Sequence, residues 1–526
     1  MHRIGRCLGV SRCLRAQIGR LSSQNASKFG GLINVPLSEP LMGKILTSQN
    51  DDFVEDNETK ITTLKNGLRI ASQNKFGAQC AMGVIVDAGP RYEVDRPSGI
   101  SHYLEKLGFH SSDSFSDRNH VQSAMEECNA IFDCQISRDF IIYAVSGFNT
   151  NMERLVHILS ETVLRPRITD EEVRMAERSI RFELQALQRA PPVEPIMNEL
   201  LHGAAYRGNS TLGLPRYCPE SNLGQITRDH IINFVATYYR PERLVVAGVG
   251  VQHDAFVKAV ESAFTPSEHS LAKEPAAKNA TAPDASVAQY TGGYVKVERD
   301  LSQYHAPMPE FAHAAIGLES CGYRDAQFVP ACLLHSLLGG GGSFSAGGPG
   351  KGMYTRLYVN VLNEHHWVNS AQAENHSYAD TGLFTITGSS DPRHLDRLVL
   401  TLVTELRHTV ESTISAEELA RAKAQLKSML LMNLETRAVT FEDIARQVLT
   451  TGRRYQPEYW ANKIDQVTAN DLHDLLHRMI TQSPPTLVGF GRVDRLPSRE
   501  EVQLALSKPL ASRFSNRLPN LFKRFV

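Results

Sequence analysis

Apolar residues recur along this chain with helical and strand spacings in an order that appears twice. Ile168-Thr-Asp-Glu-Glu-Val and Ile414-Ser-Ala-Glu-Glu-Leu each open a long stretch of helical spacing. Each carries a helix-start signature, Thr169 or Ser415 as N-cap with Glu172 or Glu418 three residues on, where side chain and backbone can exchange hydrogen bonds. Further along, Gln225-Ile-Thr and Gln466-Val-Thr begin two segments predicted as a polar-capped helix followed by an apolar strand, Leu244 to Val251 and Thr486 to Val493. The two pairs are offset by 246 and 241 positions, so two halves share one order of elements. Cys80 to Gly89 followed by Pro-Arg-Tyr likewise parallels Ala314 to Gly322 followed by Tyr-Arg, strand and turn in both.

This pattern predicts an α+β protein of two homologous domains, 55–265 and 301–526. The short, hairpin-like turns favour mixed or antiparallel sheets over a doubly wound one. Between the domains, Pro266 to Gln289 is rich in Ala, Pro, Lys, Ser and Asn and has no sustained periodicity, so 266–300 is expected to be an exposed linker. No apolar run of 18 residues exists, and no transmembrane segment is expected.

The first 38 residues hold no acidic side chain, while Arg3, Arg6, Arg12, Arg15, Arg20 and Lys28 are basic. Ile4, Leu8, Leu14, Ile18 and Leu21 fall roughly on one helical face. That is transit-peptide composition, assigned to 1–33, and it points to mitochondrial import; a secretory signal would need an uninterrupted apolar core. Removing these six charges from a formal net charge of −1 leaves −7, which suits a basic ligand better than nucleic acid. Of eight cysteines none forms a CxxC pair, and the six outside the leader read as buried thiols of a reducing compartment.

Gly339 to Gly352 reads GGGGSFSAGGPGKG, eight glycines in fourteen residues. Such density lets another backbone approach closely and marks a ligand-contacting or mobile loop. Phosphate cradles do not fit: Lys351 follows Gly350, but the first P-loop glycine would fall on Ser345 and the hydroxyl on Gly352. The run, with its continuation Met353-Tyr-Thr-Arg-Leu-Tyr358, resembles the glycine-rich loop of the α-subunit family of mitochondrial processing peptidases, within the pitrilysin-type metallopeptidases. The resemblance extends from about Gly67 to the C-terminus and implies two α/β-roll domains facing each other as a clamshell. It also implies substrate contacts from Gly339, Gly340, Gly341, Gly342, Ser343, Phe344, Gly347, Gly348, Gly350, Lys351 and Gly352.

Metallopeptidases of this type carry H-x-x-E-H on a helix and a distal glutamate. The corresponding residues are Ser101-His-Tyr-Leu-Glu-Lys106, with His102 and Glu105 in place and Lys106 where the second histidine would stand. Glu183 is the candidate distal ligand. Catalytic zinc needs three protein ligands and an open position, so two ligands beside a lysine predict neither a metal site nor a catalytic residue in this chain. Taken without chemistry, His102 is a hydrogen-bonded helix histidine, Glu105 and Lys106 are solvated helix residues, and Glu183 belongs to i,i+4 charge pairing. His365 and His366 lack a third ligand and read as strand or loop residues.

The resemblance therefore implies a non-catalytic, presequence-recognising chain in the mitochondrial matrix, with inner-membrane association left open. It implies a heterodimer with a β subunit that bears the zinc, no cofactor in this chain, presequence-bearing precursors as ligands and no nucleic acid. Glu364, Glu374 and Asp380 are candidates to face presequence arginines. Two other classes stay open: a structural core subunit of respiratory complex III on the same fold, and an autonomous zinc peptidase.

Overall fold

The repeat is built as two sheets of one topology. The computed structural model describes residues 58–189, 193–207, 210–264, 271, 274–301, 310–342 and 353–508. In the N-terminal half the strands are β1 (Lys60–Thr63), β2 (Arg69–Gln73), β3 (Gln79–Val86), β4 (Ile131–Ile136), β5 (Ile141–Phe148) and β6 (Leu244–Val249), in spatial order β1-β2-β6-β3-β5-β4. The second half has β7 (Tyr294–Glu298), β8 (Ala312–Ser320), β9 (Gly340–Gly342), β10 (Val368–Ser377), β11 (Gly382–Ser390) and β12 (Thr486–Gly491), ordered β7-β12-β8-β11-β10-β9. The β2–β6 and β7–β12 pairs are parallel and the other pairs antiparallel. Without β1 and β9, the two five-strand orders coincide.

The helices of the first half are α1 (Ile100–Leu107), α2 (Arg118–Glu127), α3 (Met152–Leu164), α4 (Asp170–Arg189), α5 (Val193–Ala205), α6 (Arg228–Tyr238) and α7 (His253–Phe264). Those of the second are α8 (Phe328–Leu338), α9 (Leu395–Glu411), α10 (Ala416–Asn433), α11 (Arg437–Thr451), α12 (Pro457–Gln466), α13 (Ala469–Gln482) and α14 (Arg499–Ser507). The helix starts follow the cap chemistry. Thr169 N–H donates to Glu172 Oε2 at 2.8 Å and Glu172 N–H returns to Thr169 Oγ1 at 3.2 Å. Ser415 accepts from Glu418 N–H at 3.1 Å, but the Glu418 carboxylate turns to Arg356 at 2.6 Å, so only half of that capping box closes.

Each half lends a helix to the other. On α5, Met197, Leu201 and Ala205 pack against Ala315, Leu383 and Val488 of the second sheet. On its counterpart α11, Phe441, Ile444, Ala445 and Val448 pack against Ala71, Ile85 and Val245 of the first. Gly83 on β3 makes room, since a Cβ there would stand 2.6 Å from the Phe441 ring. Full burial of one large apolar side chain is worth about 1.5–3 kcal/mol, so each crossing helix contributes substantially to the far sheet.

The stretch 266–300 differs from the exposed linker expected. Leu271 is buried, Ala277 and Ala288 pack inward, and Tyr294–Glu298 forms β7 against β12. Its few apolar anchors are spaced without period, so no periodicity reveals them. Of the six free thiols, Cys80, Cys128, Cys218 and Cys321 are buried, whereas Cys134 and Cys332 are only partly so. At the seam between the halves, Arg91 reaches Asp139 at 3.2 Å and Asp380 at 2.7 Å. Tyr323 OH donates to Asp139 at 3.1 Å, and Ala288 N–H to Asp380 at 2.8 Å.

Candidate functional site

The buried Glu93 carboxylate accepts hydrogen bonds from Gly99 N–H and Ser101 N–H, both 2.6 Å, and so caps the start of α1. Burial pushes its carboxyl up to about 7, against the pull of those bonds. One turn on, α1 carries His102, 2 % exposed, with Glu105 and Lys106 beside it; α4 brings Glu183 across. His102 Nε2 lies 3.2 Å from Glu183 Oε2, and Lys106 Nζ lies 2.7 Å from the same oxygen and 3.0 Å from Glu105 Oε1. The His102 bond and the Lys106 ammonium, against burial, draw the Glu183 carboxyl down to about 2. Burial works against the Lys106 charge, but the bonds to Glu183 and Glu105 outweigh it and raise the ammonium above its ordinary value.

These residues do not fit a zinc ion. Cys218 N–H donates to His102 Nδ1 at 3.2 Å, so Nδ1 is an acceptor and the ring proton sits on Nε2, directed at Glu183. The lone pair that would bind metal is therefore absent, and the lysine ammonium stands where a cation would bridge Glu183 and Glu105. Among the described residues no group of three or more His, Cys, Asp and Glu side chains could hold a metal. Glu105 and Lys106 are not the solvated helix residues expected: their side chains are 20 % and 21 % exposed and paired with each other. The family resemblance, not spacing in this sequence, tied Glu183 to His102, Glu105 and Lys106, and the four side chains do meet. It carried no sign of Cys218, whose backbone sets the tautomer.

At the glycine-rich run, Gly339 to Gly342 fall within the described residues; Ser343, Phe344, Gly347, Gly348, Gly350, Lys351 and Gly352 lie outside them. The stem forms β9, which adds to the sheet edge by pairing Gly340, Gly341 and Gly342 with Gln372, Ala371 and Ser370. Gly340 has φ +98°, and a Cβ there would meet the Ala371 carbonyl at 2.1 Å, so only glycine fits. Thr355 ties the far end of the run to its start by accepting Gly340 N–H at 3.1 Å.

A family model described as Insulinase (Peptidase family M16) matches residues 69–220, and one described as Peptidase M16 inactive domain matches residues 225–426. A Bos taurus protein named mitochondrial-processing peptidase subunit alpha is 44% identical over 517 residues, covering 97% of this chain and 96% of that protein. The chain belongs to the mitochondrial-processing peptidase α-subunit family. A Caenorhabditis elegans protein of the same name is 40% identical over 455 residues, 86% of this chain and 88% of its own. An Arabidopsis thaliana protein, named probable mitochondrial-processing peptidase subunit alpha-2, chloroplastic/mitochondrial, is 33% identical over 500 residues, 94% and 95%.

In this member of the α-subunit family, two of the three candidate acids are already engaged. Glu374 Oε2 lies 3.2 Å from His376 Nε2. Asp380 is held at the seam, where, although burial opposes it, Arg91 and the Ala288 N–H keep its carboxyl below the ordinary range. Glu364 is exposed. His365 and His366 fall in turns after a π-helical segment, Leu357–Leu362, with His365 beside Trp367 at 5.5 Å between rings.

The second half holds a cavity of its own near the seam. There α8, α10, α11 and α12 border a cavity of about 550 Å³ lined by Phe328 and Cys332 of α8, Leu430 of α10, Asp443, Arg446 and Gln447 of α11 and Trp460 of α12, with Phe140 and Tyr323 toward the seam. The offset of 246 carries Glu183 onto Met429, next to Leu430. Sequence reasoning missed this cavity, because apolar residues at helical spacing signal a buried face and give no sign of a gap.

Proposed function

We propose that the chain is the non-catalytic, presequence-recognising subunit of a mitochondrial processing peptidase, working in the matrix beside a zinc-bearing β subunit. The observation that carries this reading is Lys106, whose ammonium takes the place of the metal while His102 turns its N–H to Glu183. The names of the relatives supply the assembly, and the basic, acid-free start of the sequence suits import into mitochondria. The glycine-rich loop, rising from an edge strand where only glycine fits, supports backbone contact with an extended or helical presequence. Of the three acids, Glu364 is exposed and is our candidate to meet its arginines.

The test reconstitutes the pair and follows precursor cleavage together with metal content. The isolated mature chain should bind no stoichiometric zinc, and Glu105→Gln should leave the activity of the pair nearly unchanged; loss of a true general base costs about 10²- to 10⁴-fold. Replacing Gly347 and Gly348 with valine should weaken precursor binding while pairing and melting temperature stay as they were. One zinc per isolated chain, or a Glu105→Gln loss of that size, overturns the non-catalytic role. Valine variants that bind and process normally overturn the loop's role. Co-purification with cytochrome b and c1 subunits in place of a soluble peptidase would favour the complex III reading.

A further inference from the structure

We propose that Thr355 and Tyr358 are positioning residues for presequence recognition: they hold the Gly340–Gly342 stem of the glycine-rich run at the sheet edge and so set where the run meets its ligand; this rests on the recognition role above. The stem has little of its own to keep it in place. Three glycines form β9, and glycine loses more conformational freedom on ordering than any other residue. Both feet of the run are nevertheless built into the fold. At the first, Ala373 N–H donates to the Gly339 carbonyl at 2.9 Å, and β10 pairs with Gly340 to Gly342. At the second, the buried Thr355 hydroxyl accepts Gly340 N–H at 3.1 Å. The buried Tyr358 lies so close to Gly341 that a Cβ there would stand 2.6 Å from its hydroxyl.

The first half does without such a brace. Ahead of β4 it places the regular helix α2, whereas ahead of the corresponding strand β10 the second half places the π-helical segment Leu357–Leu362. Asp117, at the start of α2, gives its carboxylate to Asn119 N–H and His120 N–H of its own helix, at 2.8 and 3.1 Å. Thr355, at the start of the π-helical segment, gives its hydroxyl to the stem instead, and that segment begins without a side-chain cap. π-helical turns are rare and are frequent at functional sites; here Asn363 N–H reaches back five residues to the Tyr358 carbonyl at 2.9 Å. The wide turn is pinned from outside. Arg356 bonds Glu418 at 2.6 and 3.0 Å and Ser412 at 3.1 Å, and Asn360 donates to both Glu405 oxygens, at 3.0 and 3.1 Å. Thr355 and Tyr358 are thus carried on a frame anchored to α9 and α10, and the stem takes its place from that frame.

The experiment uses the reconstituted pair and a fluorescent basic amphipathic peptide. Its anisotropy gives Kd with zinc removed by chelation, so that the peptide is not cleaved, and its cleavage by the zinc-loaded pair gives kcat and KM. Thr355→Val, which keeps the shape and removes the acceptor, and Tyr358→Leu should each raise Kd and KM roughly three- to tenfold, with kcat and partner pairing kept. Thr355→Ser, which restores the acceptor, should return the parent values. Combined with valine at Gly347 and Gly348, Thr355→Val should add no further loss, because both act through the run. A Thr355→Val pair that binds the peptide as tightly as the parent, or whose kcat falls while Kd and KM stay, refutes the brace and leaves the recognition role standing. So does a full additional loss in the valine background. If the parent pair does not bind the peptide, the recognition role fails and the brace with it. Should Tyr358→Leu fail to fold, amide exchange in Thr355→Val keeps the result decisive: Gly340 to Gly342 should exchange faster while β8 and β11 keep the parent rate, and unchanged exchange at the stem overturns the proposal.

Discussion

The two halves of this duplicated fold differ in how they fill the space between their helices. In the first half the space between α1 and α4 is filled by charge, with Lys106, Glu183, Glu105 and His102 satisfying one another and Cys218 N–H closing the last acceptor. In the second half a cavity stays open between α8, α10, α11 and α12, with aromatic and aliphatic residues on one side and polar ones on the other. A half-buried carboxylate needs a cation beside it, whereas an apolar wall needs none and can persist as a cavity.

The contrast breaks most severely at the seam. Arg91, 5 % exposed, holds Asp139 and Asp380, and Asp139 precedes cavity-lining Phe140. Arg91→Met should leave the buried Asp139 carboxylate, and the more exposed Asp380, without a cation and cost about 3–5 kcal/mol, read as a drop in urea midpoint. A loss under about 1 kcal/mol would show that the cluster does not hold the halves. Lys106→Met comes next: the same logic applies to Glu183 and Glu105, but these side chains are 34 % and 20 % exposed, so solvent screening reduces the expected loss to about 1–3 kcal/mol. Adding Glu183→Gln to Lys106→Met should recover part of it; no recovery would mean that the lysine acts through packing alone.

The smallest effect is a pH dependence confined to the first half. Glu183 has a folded value of about 2 against an ordinary 4.5. As pH falls through 4.5 the unfolded chain takes up the proton first, so the stabilisation present above 4.5 is lost progressively on descent toward 2. Discounted for exposure, the loss is about 1 kcal/mol. The difference in urea midpoint between the parent chain and Glu183→Gln should narrow from pH 6 to pH 3; a constant difference would contradict the ion-pair account.

Much of this was legible from residue order. The duplication, the Thr169 and Ser415 caps and the strands at Leu244 and Thr486 all rest on local spacing, which determines helices, strands and their faces; the grouping of His102, Lys106 and Glu183 came from the family resemblance. What lay beyond it was each face's partner. The apolar side of α5 shows that it is buried but not that it lies against the other half's sheet. Asp380 reads as an available acid until Arg91, distant in sequence, is seen to take it. Gly340 to Gly342 form a strand that glycine composition argues against, because the backbone of β10 templates it and glycine alone tolerates the close approach.

The crossing of α5 and α11 has a consequence for the order in which the molecule can be made. The first sheet is complete once the chain reaches Val249, yet the face around Val245 and Ala247 waits for Phe441, Ile444 and Val448. Until residues 441–448 join it, that apolar face stays bare. The two halves also cannot diverge separately, since a substitution on α11 is tested against a sheet assembled from the opposite end of the chain. The duplicated parts are thereby inherited as one unit, and a chain cut between them would yield two pieces that each lack a wall.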